Sequence, residues 1–176
     1  MRFAETKLKG AFVIDLERIE DERGFFARSF CEEAFAGHGL NPHVAQCSIS
    51  FNPAKGTLRG LHWQAAPHLE AKLVRVTRGA IFDVILDLRR DSPTFQQHVA
   101  VELTAENRRM LYVPENCAHG FQTLEDNTEV FYQMSVLFRP ESARGVRWND
   151  PAFGIEWPQA GRRIIHHRDA NYPDFQ

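Results

Sequence analysis

The feature that most constrains the fold of this chain is an alternation of apolar and polar residues with a period of two, repeated in several short runs. Within residues 80–88 the even positions are apolar from Phe82 onward, while Asp83 and Asp87 stand at odd positions. Residues 99–103 and 128–134 alternate in the same way. Successive side chains of a strand point to opposite faces, so each run predicts a β-strand with one buried face.

Turn-forming residues separate the predicted strands at short intervals. They are Asn52-Pro53, Gly56, Gly79, Asp91-Ser92-Pro93, Pro114-Glu115-Asn116 and Asp126-Asn127. This spacing is typical of an antiparallel sandwich or barrel. One short helix is expected at residues 31–39, with Glu32 and Glu33 in its first turn. Because no predicted strand is followed by a long helix, the βαβ repetition of a Rossmann or TIM fold is missing, and the predicted class is all-β.

The composition narrows the classes of function. The 176 residues contain no internal repeat or low-complexity segment, so we expect one domain over residues 1–176. The 21 basic and 23 acidic residues give a net charge of −2 without a long block of either sign, which argues against a nucleic-acid partner. The apolar stretches are too short to span a membrane, and no apolar signal region begins the chain, so we expect a cytoplasmic protein. The three cysteines, Cys31, Cys47 and Cys117, lack C-x-x-C spacing and are expected to be buried free thiols.

One glycine-flanked segment, Gly56-Thr57-Leu58-Arg59-Gly60-Leu61-His62-Trp63-Gln64, carries an Arg and a His in a strand-like run. In a regular strand Arg59 and His62 would face opposite sides. Both can line one cavity only if Gly60 bends or bulges the strand. The alternative from this segment alone is a surface Arg and a core His.

Lys72 and Tyr132 are further candidates on predicted strands. Lys72 starts the run Lys72-Leu73-Val74-Arg75-Val76, where a single Lys usually lies on the surface. Tyr132 shares its strand face with Val130 and Met134, so its phenol is expected to point inward and to need a partner or a substrate. Taken alone, a tyrosine in such a position is more often a core residue than a functional one.

The segment Leu111-Tyr112-Val113-Pro114-Glu115-Asn116-Cys117-Ala118-His119-Gly120-Phe121 resembles the second motif of the cupin superfamily of jelly-roll barrels, with Asn116 where Gly is usual. A metal-binding cupin also needs a first motif with two His one residue apart and a following Glu. Here Trp63-Gln64 follows His62, and the adjacent pair His166-His167 would point to opposite faces of a strand. We therefore predict that the protein binds no catalytic metal.

A chain of motifs resembles the dTDP-4-dehydrorhamnose 3,5-epimerase family in order and over nearly the whole length. Besides the segments at 56–64 and 72–75, the matches are Asp21-Glu22-Arg23-Gly24-Phe25-Phe26, Asp83-Val84, Asp87-Leu88-Arg89, Ser92-Pro93-Thr94-Phe95, Val113-Pro114, Ala118-His119-Gly120-Phe121, Tyr132, Trp148-Asn149-Asp150-Pro151 and Ile155-Glu156-Trp157-Pro158. The resemblance implies a cupin jelly roll without metal or other cofactor. It also implies a homodimer and an isomerase that acts on a nucleotide-linked 4-keto-6-deoxy sugar, most simply a dTDP-linked one.

The resemblance also implies roles for individual residues. His62 matches the family's general base, Asp169 the carboxylate that orients it, Tyr132 the proton donor and Lys72 the cation near the keto oxygen. The positions that match residues holding the nucleotide and its diphosphate are Arg23, Gln46, Arg59, His119 and Arg168. Protons next to a ketone are acidic enough for a His poised near neutral pH to remove, so these residue types suit the chemistry.

The sequence departs from the family pattern in its binding part. Arg28 and Arg144 stand at or next to positions where Glu is usual, Ser48 replaces Asn, and Leu137-Phe138 replaces a Tyr-Tyr pair. These departures leave open which nucleotide and sugar are bound and whether C3, C5 or both are inverted. Two alternatives also remain open: an isomerase that converts a 4-keto sugar into a 3-keto sugar, and a cupin that binds a sugar nucleotide without catalysis.

Overall fold

The computed structural model describes residues 1–176 and consists almost entirely of short β-strands. In chain order the strands are β1 (Arg2–Glu5), β2 (Phe12–Asp15), β3 (Ile19–Asp21), β4 (Gly24–Phe26), β5 (Gln46–Asn52), β6 (Thr57–Gln64), β7 (Lys72–Arg78), β8 (Ala80–Asp87), β9 (His98–Thr104), β10 (Met110–Val113), β11 (Cys117–Thr123), β12 (Thr128–Met134), β13 (Ala143–Gly145) and β14 (Ile164–Ile165). The helices are α1 (Glu32–Gly37), inside the predicted 31–39 segment, and α2 (His167–Ala170). Neither helix is long and apolar enough to cross a membrane.

Two antiparallel sheets make up the body of the molecule. One has the strand order β1-β2-β10-β7-β12-β5, and the other has the order β13-β6-β11-β8-β9, with β14 beside β6. From β5 to β13 the chain changes sheet at every connection except the one from β8 to β9. This is the jelly-roll architecture, so the predicted all-β class is confirmed.

The inner faces of the two sheets enclose the main core. Val74 and Val130 from the first sheet pack with Ile85 and Phe121 from the second, and none of the four is more than 1% exposed. A second apolar cluster joins α1 to the outside of the first sheet, where Phe35 lies beside Tyr112 at a ring distance of 6.1 Å. Cys117 belongs to the main core, whereas Cys31 is half-buried and Cys47 is exposed on the edge strand β5, so the prediction of buried thiols is wrong for Cys31 and Cys47.

The prediction of a single buried face is wrong for residues 80–88. Asp83 and Asp87 are both 0% exposed, because the odd-numbered face of β8 lies between the two sheets. The even-numbered face is covered as well, since Val84 and Leu86 pack against the later segment that contains Phe153. A charged side chain is tolerated inside only when it has partners, and both carboxylates have them.

Asp87 shows how such a carboxylate is accommodated. Arg89 donates from Nε and Nη2 at 2.8 Å each, and the hydroxyls of Ser92 and Thr94 donate at 2.6 and 2.7 Å. Burial by itself raises the pKa of Asp87, but these hydrogen bonds outweigh it and hold the pKa below the usual range. Asp87 therefore fixes the loop that follows β8.

Candidate active site

A bulge in β6 brings Arg59 and His62 to the same side. His62 pairs with His119 of β11 and Arg59 pairs with Phe121, so three steps along β6 match two steps along β11. Gly60 lies inside the irregularity with φ +116°, and a Cβ there would stand 2.5 Å from the Cα of Gly120. The predicted bend at Gly60 is confirmed, and the close approach of the strands explains why glycine is needed.

The bulged strand lines a cleft with two adjoining lobes. The Arg59 lobe, about 760 Å³, is lined by Arg59, His119 and Asp169 among others. The Arg144 lobe, about 800 Å³, is lined by Arg144 together with Gln46, Phe138 and Tyr172. Residues that line both lobes are His62, Lys72, Tyr132, Ser48 and Arg168. Three of the four predicted catalytic residues therefore stand where the lobes meet, and Asp169 lines one of them.

His62 and Asp169 form a hydrogen-bonded pair at the centre of the cleft. Nε2 of His62 lies 2.8 Å from Oδ1 of Asp169, and Oδ2 accepts a further bond from the backbone N of Gly60 at 3.3 Å. An ionised carboxylate only accepts hydrogen bonds, so the imidazole donates from Nε2 and its Nδ1 is left as the basic nitrogen. Burial raises the pKa of Asp169, but His62, Gly60 and Arg168 outweigh it and leave the pKa below its usual value.

The chain near its C-terminus delivers Asp169 to this position. β14 pairs in parallel with the start of β6, and α2 follows directly, with the His166 side chain accepting a hydrogen bond from the backbone N of Arg168 at 3.2 Å. His166 and His167 therefore do not lie on a strand. His166 caps α2 and His167 is its first residue. The cap leaves Asp169 buried at 3% exposure and facing His62.

Lys72 places a positive charge at the floor of the cleft. Its side chain is 13% exposed, and Nζ lies 3.0 Å from Oε2 of Glu70 and 3.4 Å from the carbonyl oxygen of His62. The prevailing expectation of a surface position for a strand lysine does not hold here. Because the amine is partly desolvated, its attraction to an anionic oxygen in the cleft is stronger than it would be in water.

Tyr132 and His119 lie together above a buried carboxylate. Their rings are 6.2 Å apart and nearly perpendicular, and Nε2 of His119 lies 2.7 Å from Oδ1 of Asp83. Burial and the nearby charge of Asp83 raise the pKa of Tyr132, so its phenol keeps its proton at neutral pH. The inward orientation predicted for Tyr132 is confirmed, and the phenol is available as a donor.

The sequence of this chain is similar to those of one enzyme family. The family model described as dTDP-4-dehydrorhamnose 3,5-epimerase matches residues 5–176. The chain belongs to this family. A dTDP-4-dehydrorhamnose 3,5-epimerase of Methanothermobacter thermautotrophicus is 43% identical over 97% of this chain and 92% of its own length.

Solved structures of dTDP-4-dehydrorhamnose 3,5-epimerases share the fold. The crystal structure from Elizabethkingia anophelis superposes with a TM-score of 0.96 at 38% identity and covers 99% of this chain and 96% of its own. A Legionella pneumophila epimerase, solved in complex with dTDP-4-keto-L-rhamnose, has a TM-score of 0.89 at 35% identity over 96% of this chain and 89% of its own. The jelly roll described above is thus the fold of this epimerase family.

Four of the five residues that the family resemblance assigns to nucleotide binding line the cleft. Gln46, Arg59, His119 and Arg168 do so, whereas Arg23 does not. Arg23 lies in the exposed hairpin of β3 and β4, where its guanidinium pairs with Asp21.

The departures from the epimerase pattern divide between two places. Arg144, Phe138 and Ser48 line the cleft, whereas Arg28 is exposed and does not line it. Arg144 donates from Nη1 to the carbonyl oxygens of Glu141 and Ala143, both at 2.9 Å. The changed charge at position 144 is therefore located at the mouth of the Arg144 lobe.

Asp83, which accepts the hydrogen bond of His119, is a residue of the site that was not predicted from the sequence. Its Oδ2 is buried without a hydrogen-bond partner, and burial raises its pKa while His119 and Lys72 oppose that change. The signal in the sequence that could have indicated a role for Asp83 is an aspartate within an otherwise apolar strand.

No group of three or more His, Cys, Asp or Glu side chains that could hold a metal ion converges anywhere in residues 1–176.

Proposed function

We propose that this protein inverts C3 and C5 of a dTDP-linked 4-keto-6-deoxy sugar, converting dTDP-4-dehydro-6-deoxyglucose into dTDP-4-dehydrorhamnose or a close relative. The observation that carries the proposal is the His62–Asp169 pair beside Lys72 and Tyr132 in one cleft. An acid, a base and a fixed positive charge are what proton exchange next to a ketone requires.

The reaction begins with removal of a proton from carbon. Nδ1 of His62 takes the proton at C3 or C5, and the electron pair of that C–H bond becomes the double bond of an enolate whose negative charge rests on O4. Asp169 stabilises the imidazolium that forms. Lys72 stabilises the enolate oxygen more strongly than the neutral ketone, so it lowers the barrier.

Inversion requires that the new proton arrive on the opposite face of the carbon. Tyr132 holds its proton because burial and the charge of Asp83 raise its pKa. The carbon of the enolate is basic enough to take this proton. The phenolate left behind regains a proton from solvent, and the imidazolium of His62 releases its proton to solvent. The ketone at C4 then forms again, and the new hydrogen on the inverted carbon, C3 or C5, has come from water.

The nucleotide diphosphate binds along the basic wall of the cleft. Arg59, whose Nε donates to Asn52 at 2.8 Å, and the largely exposed Arg168 present guanidinium groups to the Arg59 lobe. Arginine suits a diphosphate because its planar fork of donors matches two phosphate oxygens. Gln46 and His119 complete this group of polar contacts.

The active form in this proposal is a homodimer. Ile19 and Phe26 of the β3–β4 hairpin are 69% and 67% exposed, and Ile49 and Phe51 of the edge strand β5 are 62% and 47% exposed. Apolar side chains grouped on a hairpin and an open sheet edge favour burial against a second copy. A dimer would also give Arg23 a way to reach a diphosphate, in the cleft of the partner.

Mixing two inactive variants tests the dimer and the placement of Arg23 together. If Arg23 acts across the interface, then mixing His62→Ala with Arg23→Ala after subunit exchange creates one complete site in each mixed dimer and restores activity. If Arg23 acts within its own chain, every site in the mixed dimer stays defective. A monomer by light scattering would contradict the dimer directly.

The Arg144 lobe contains residues that depart from the epimerase pattern, namely Arg144, Phe138 and Ser48. Arg144 is permanently positive and only donates hydrogen bonds, whereas Glu is negative and accepts them. If Arg144 and Arg28 contact the nucleotide, they favour a base edge or phosphate rich in acceptors. Calorimetric titration with dTDP, UDP, CDP and GDP tests this. A preference for dTDP that persists when both arginines are replaced by Glu would leave the altered preference without support.

The position of the carbonyl in the product separates the epimerase from a 4-keto to 3-keto isomerase. With dTDP-4-keto-6-deoxyglucose in deuterium oxide, NMR of an epimerase product shows a ketone still at C4 and deuterium at C3 and C5. A ketone at C3 would establish the isomerase, and no exchange with tight binding would establish a non-catalytic binding protein.

We also expect the enzyme to work in the cytoplasm, where its three free cysteines stay reduced.

A further inference from the structure

Tyr172 is the one aromatic side chain beside His62 that the reaction described above does not use. Its ring centroid lies 6.4 Å from that of His62 at an interplanar angle of 70°, an edge-on arrangement. Tyr172 also lines the Arg144 lobe, three residues after the Asp169 that binds the same imidazole. The C-terminal segment thus brings two side chains to His62.

A missing side chain on the neighbouring strand makes room for this ring. Gly145 of β13 pairs directly with His62 of β6. A Cβ on Gly145 would lie within 3.0 Å of Cζ, Cε2 and the hydroxyl oxygen of Tyr172. The backbone of Gly145 is not in the left-handed region, so its conformation does not require glycine. The phenol of Tyr172 occupies the space that any other residue at 145 would fill.

The chain that follows Tyr172 is anchored, which helps to hold the ring in place. Arg147, two residues beyond Gly145, forms an ion pair with Asp174. The backbone N of Phe175 donates to Oδ2 of Asp150 at 2.7 Å, and the Phe175 ring packs 5.1 Å from that of Phe153. These contacts fix the segment immediately after Tyr172 on the outside of the second sheet.

We infer that Tyr172, seated on Gly145, is a positioning residue that holds the imidazole of His62 in the orientation in which Nδ1 faces the substrate. Asp169 holds the imidazole at Nε2 alone, and this single hydrogen bond does not by itself stop the ring from turning about its Cβ–Cγ bond. The ring of Tyr172 blocks that rotation and keeps water out of the space beside Gly145. The contact is made by the ring, so the hydroxyl is not required.

The kinetic test compares three variants and rests on the proposed function. Tyr172→Ala should lower kcat about 10- to 100-fold with KM changed less than about threefold, because misplacing a reacting group by about 1 Å costs that much. Tyr172→Phe keeps the ring and should retain the parent kcat. Gly145→Ala should resemble Tyr172→Ala, and the double variant should be no worse than either, since both changes remove the same contact.

Several outcomes would overturn the inference. They are loss of kcat in Tyr172→Phe as large as in Tyr172→Ala, a rise in KM alone, or an additive double variant. Thermal unfolding of each variant shows whether a lost rate follows from lost stability. A Tyr172→Ala protein that unfolds at the parent temperature yet turns over slowly supports positioning.

A second measurement needs no substrate and so remains valid if the proposed activity is not found. The ring nitrogens of His62 are observed by nitrogen-15 NMR and assigned by their loss in His62→Gln. The parent and Tyr172→Phe should show a fixed imidazole protonated at Nε2. Tyr172→Ala should show averaged or broadened signals. Unchanged signals in Tyr172→Ala would refute the positioning role, whereas absence of turnover in the parent would refute only the epimerase.

Discussion

Replacing Asp169 by Asn separates the charge of the His62–Asp169 pair from its geometry. An amide at position 169 can still accept a hydrogen bond from Nε2 of His62 at the present 2.8 Å through its oxygen. It no longer carries the negative charge that stabilises the imidazolium formed when His62 takes a proton. The change therefore acts on the transition state for proton removal more than on substrate binding.

The size of the effect follows from the difference between charged and neutral hydrogen bonds. A hydrogen bond to a charged group contributes about 1.5–3 kcal/mol, against about 1 kcal/mol for a neutral pair. Asp169 is 3% exposed, so solvent cannot replace the lost charge, and an amide that turns its NH2 toward His62 would cost more. The lost charge accounts for about 0.5–2 kcal/mol, and the unpaired donor of a turned amide adds about 1–2 kcal/mol. Together these give about 1.5–4 kcal/mol, which corresponds to a rate lowered roughly 10- to 1000-fold.

The assay is deuterium incorporation at C3 and C5, followed by NMR with dTDP-4-keto-6-deoxyglucose in deuterium oxide. Asp15→Asn is a matched control, because Asp15 also pairs with a cationic side chain, that of Arg109, but does not line the cleft. The control should exchange at the parent rate. Exchange at the parent rate in Asp169→Asn, with the protein folded, would refute the role of this charge.

Three further predictions concern the acid, the metal and the buried carboxylate. Tyr132→Phe should still let His62 remove a proton but should slow formation of the inverted product by about 100-fold, measured as product rather than as exchange, and inversion at the parent rate would require another acid. Activity should survive exhaustive chelation, because no three ligating side chains converge; loss of turnover that one transition metal restores would contradict this. Asp87→Asn should lower the free energy of unfolding by about 1.5–3 kcal/mol, since it removes the buried negative charge that pairs with the partly exposed guanidinium of Arg89. The pKa of Asp87 is lowered in the folded state, so its contribution is complete above the unfolded pKa of about 3.9 and is lost as the pH falls below it. The difference in stability between parent and variant should therefore shrink progressively as the pH falls from about 4 toward the lowered pKa of the folded state. A difference that stays constant over this range would contradict the assignment.

The sequence predicts strands well where local alternation decides them, and less well where distant segments cover them. Residues 128–134 form β12 with Tyr132 on the inward face, as expected. For residues 80–88 the alternation was present but both faces are buried, because Phe153 and its neighbours cover the outer face from far along the chain. A local pattern records polarity and contains no information about which later segment packs on it.

The same limit applies to the cleft. The need for a bulge at Gly60 could be derived from the spacing of Arg59 and His62, because it follows from the period of a strand. The pairing of His62 with Asp169 spans 107 positions and came only from resemblance to a family. The contact between Gly145 and Tyr172 had no local signal, since a glycine that makes space looks the same in sequence as one that makes a turn.

The most direct test that His62 is the base for both carbons is to measure proton exchange at C3 and C5 in the His62→Ala variant. In the proposed mechanism His62 removes the proton from both carbons. Replacing His62 should therefore abolish deuterium incorporation at C3 and at C5, while binding of dTDP persists. The two positions are resolved separately by NMR in the same sample. Loss at both positions is the predicted result, and continued exchange at either carbon at the parent rate would contradict it.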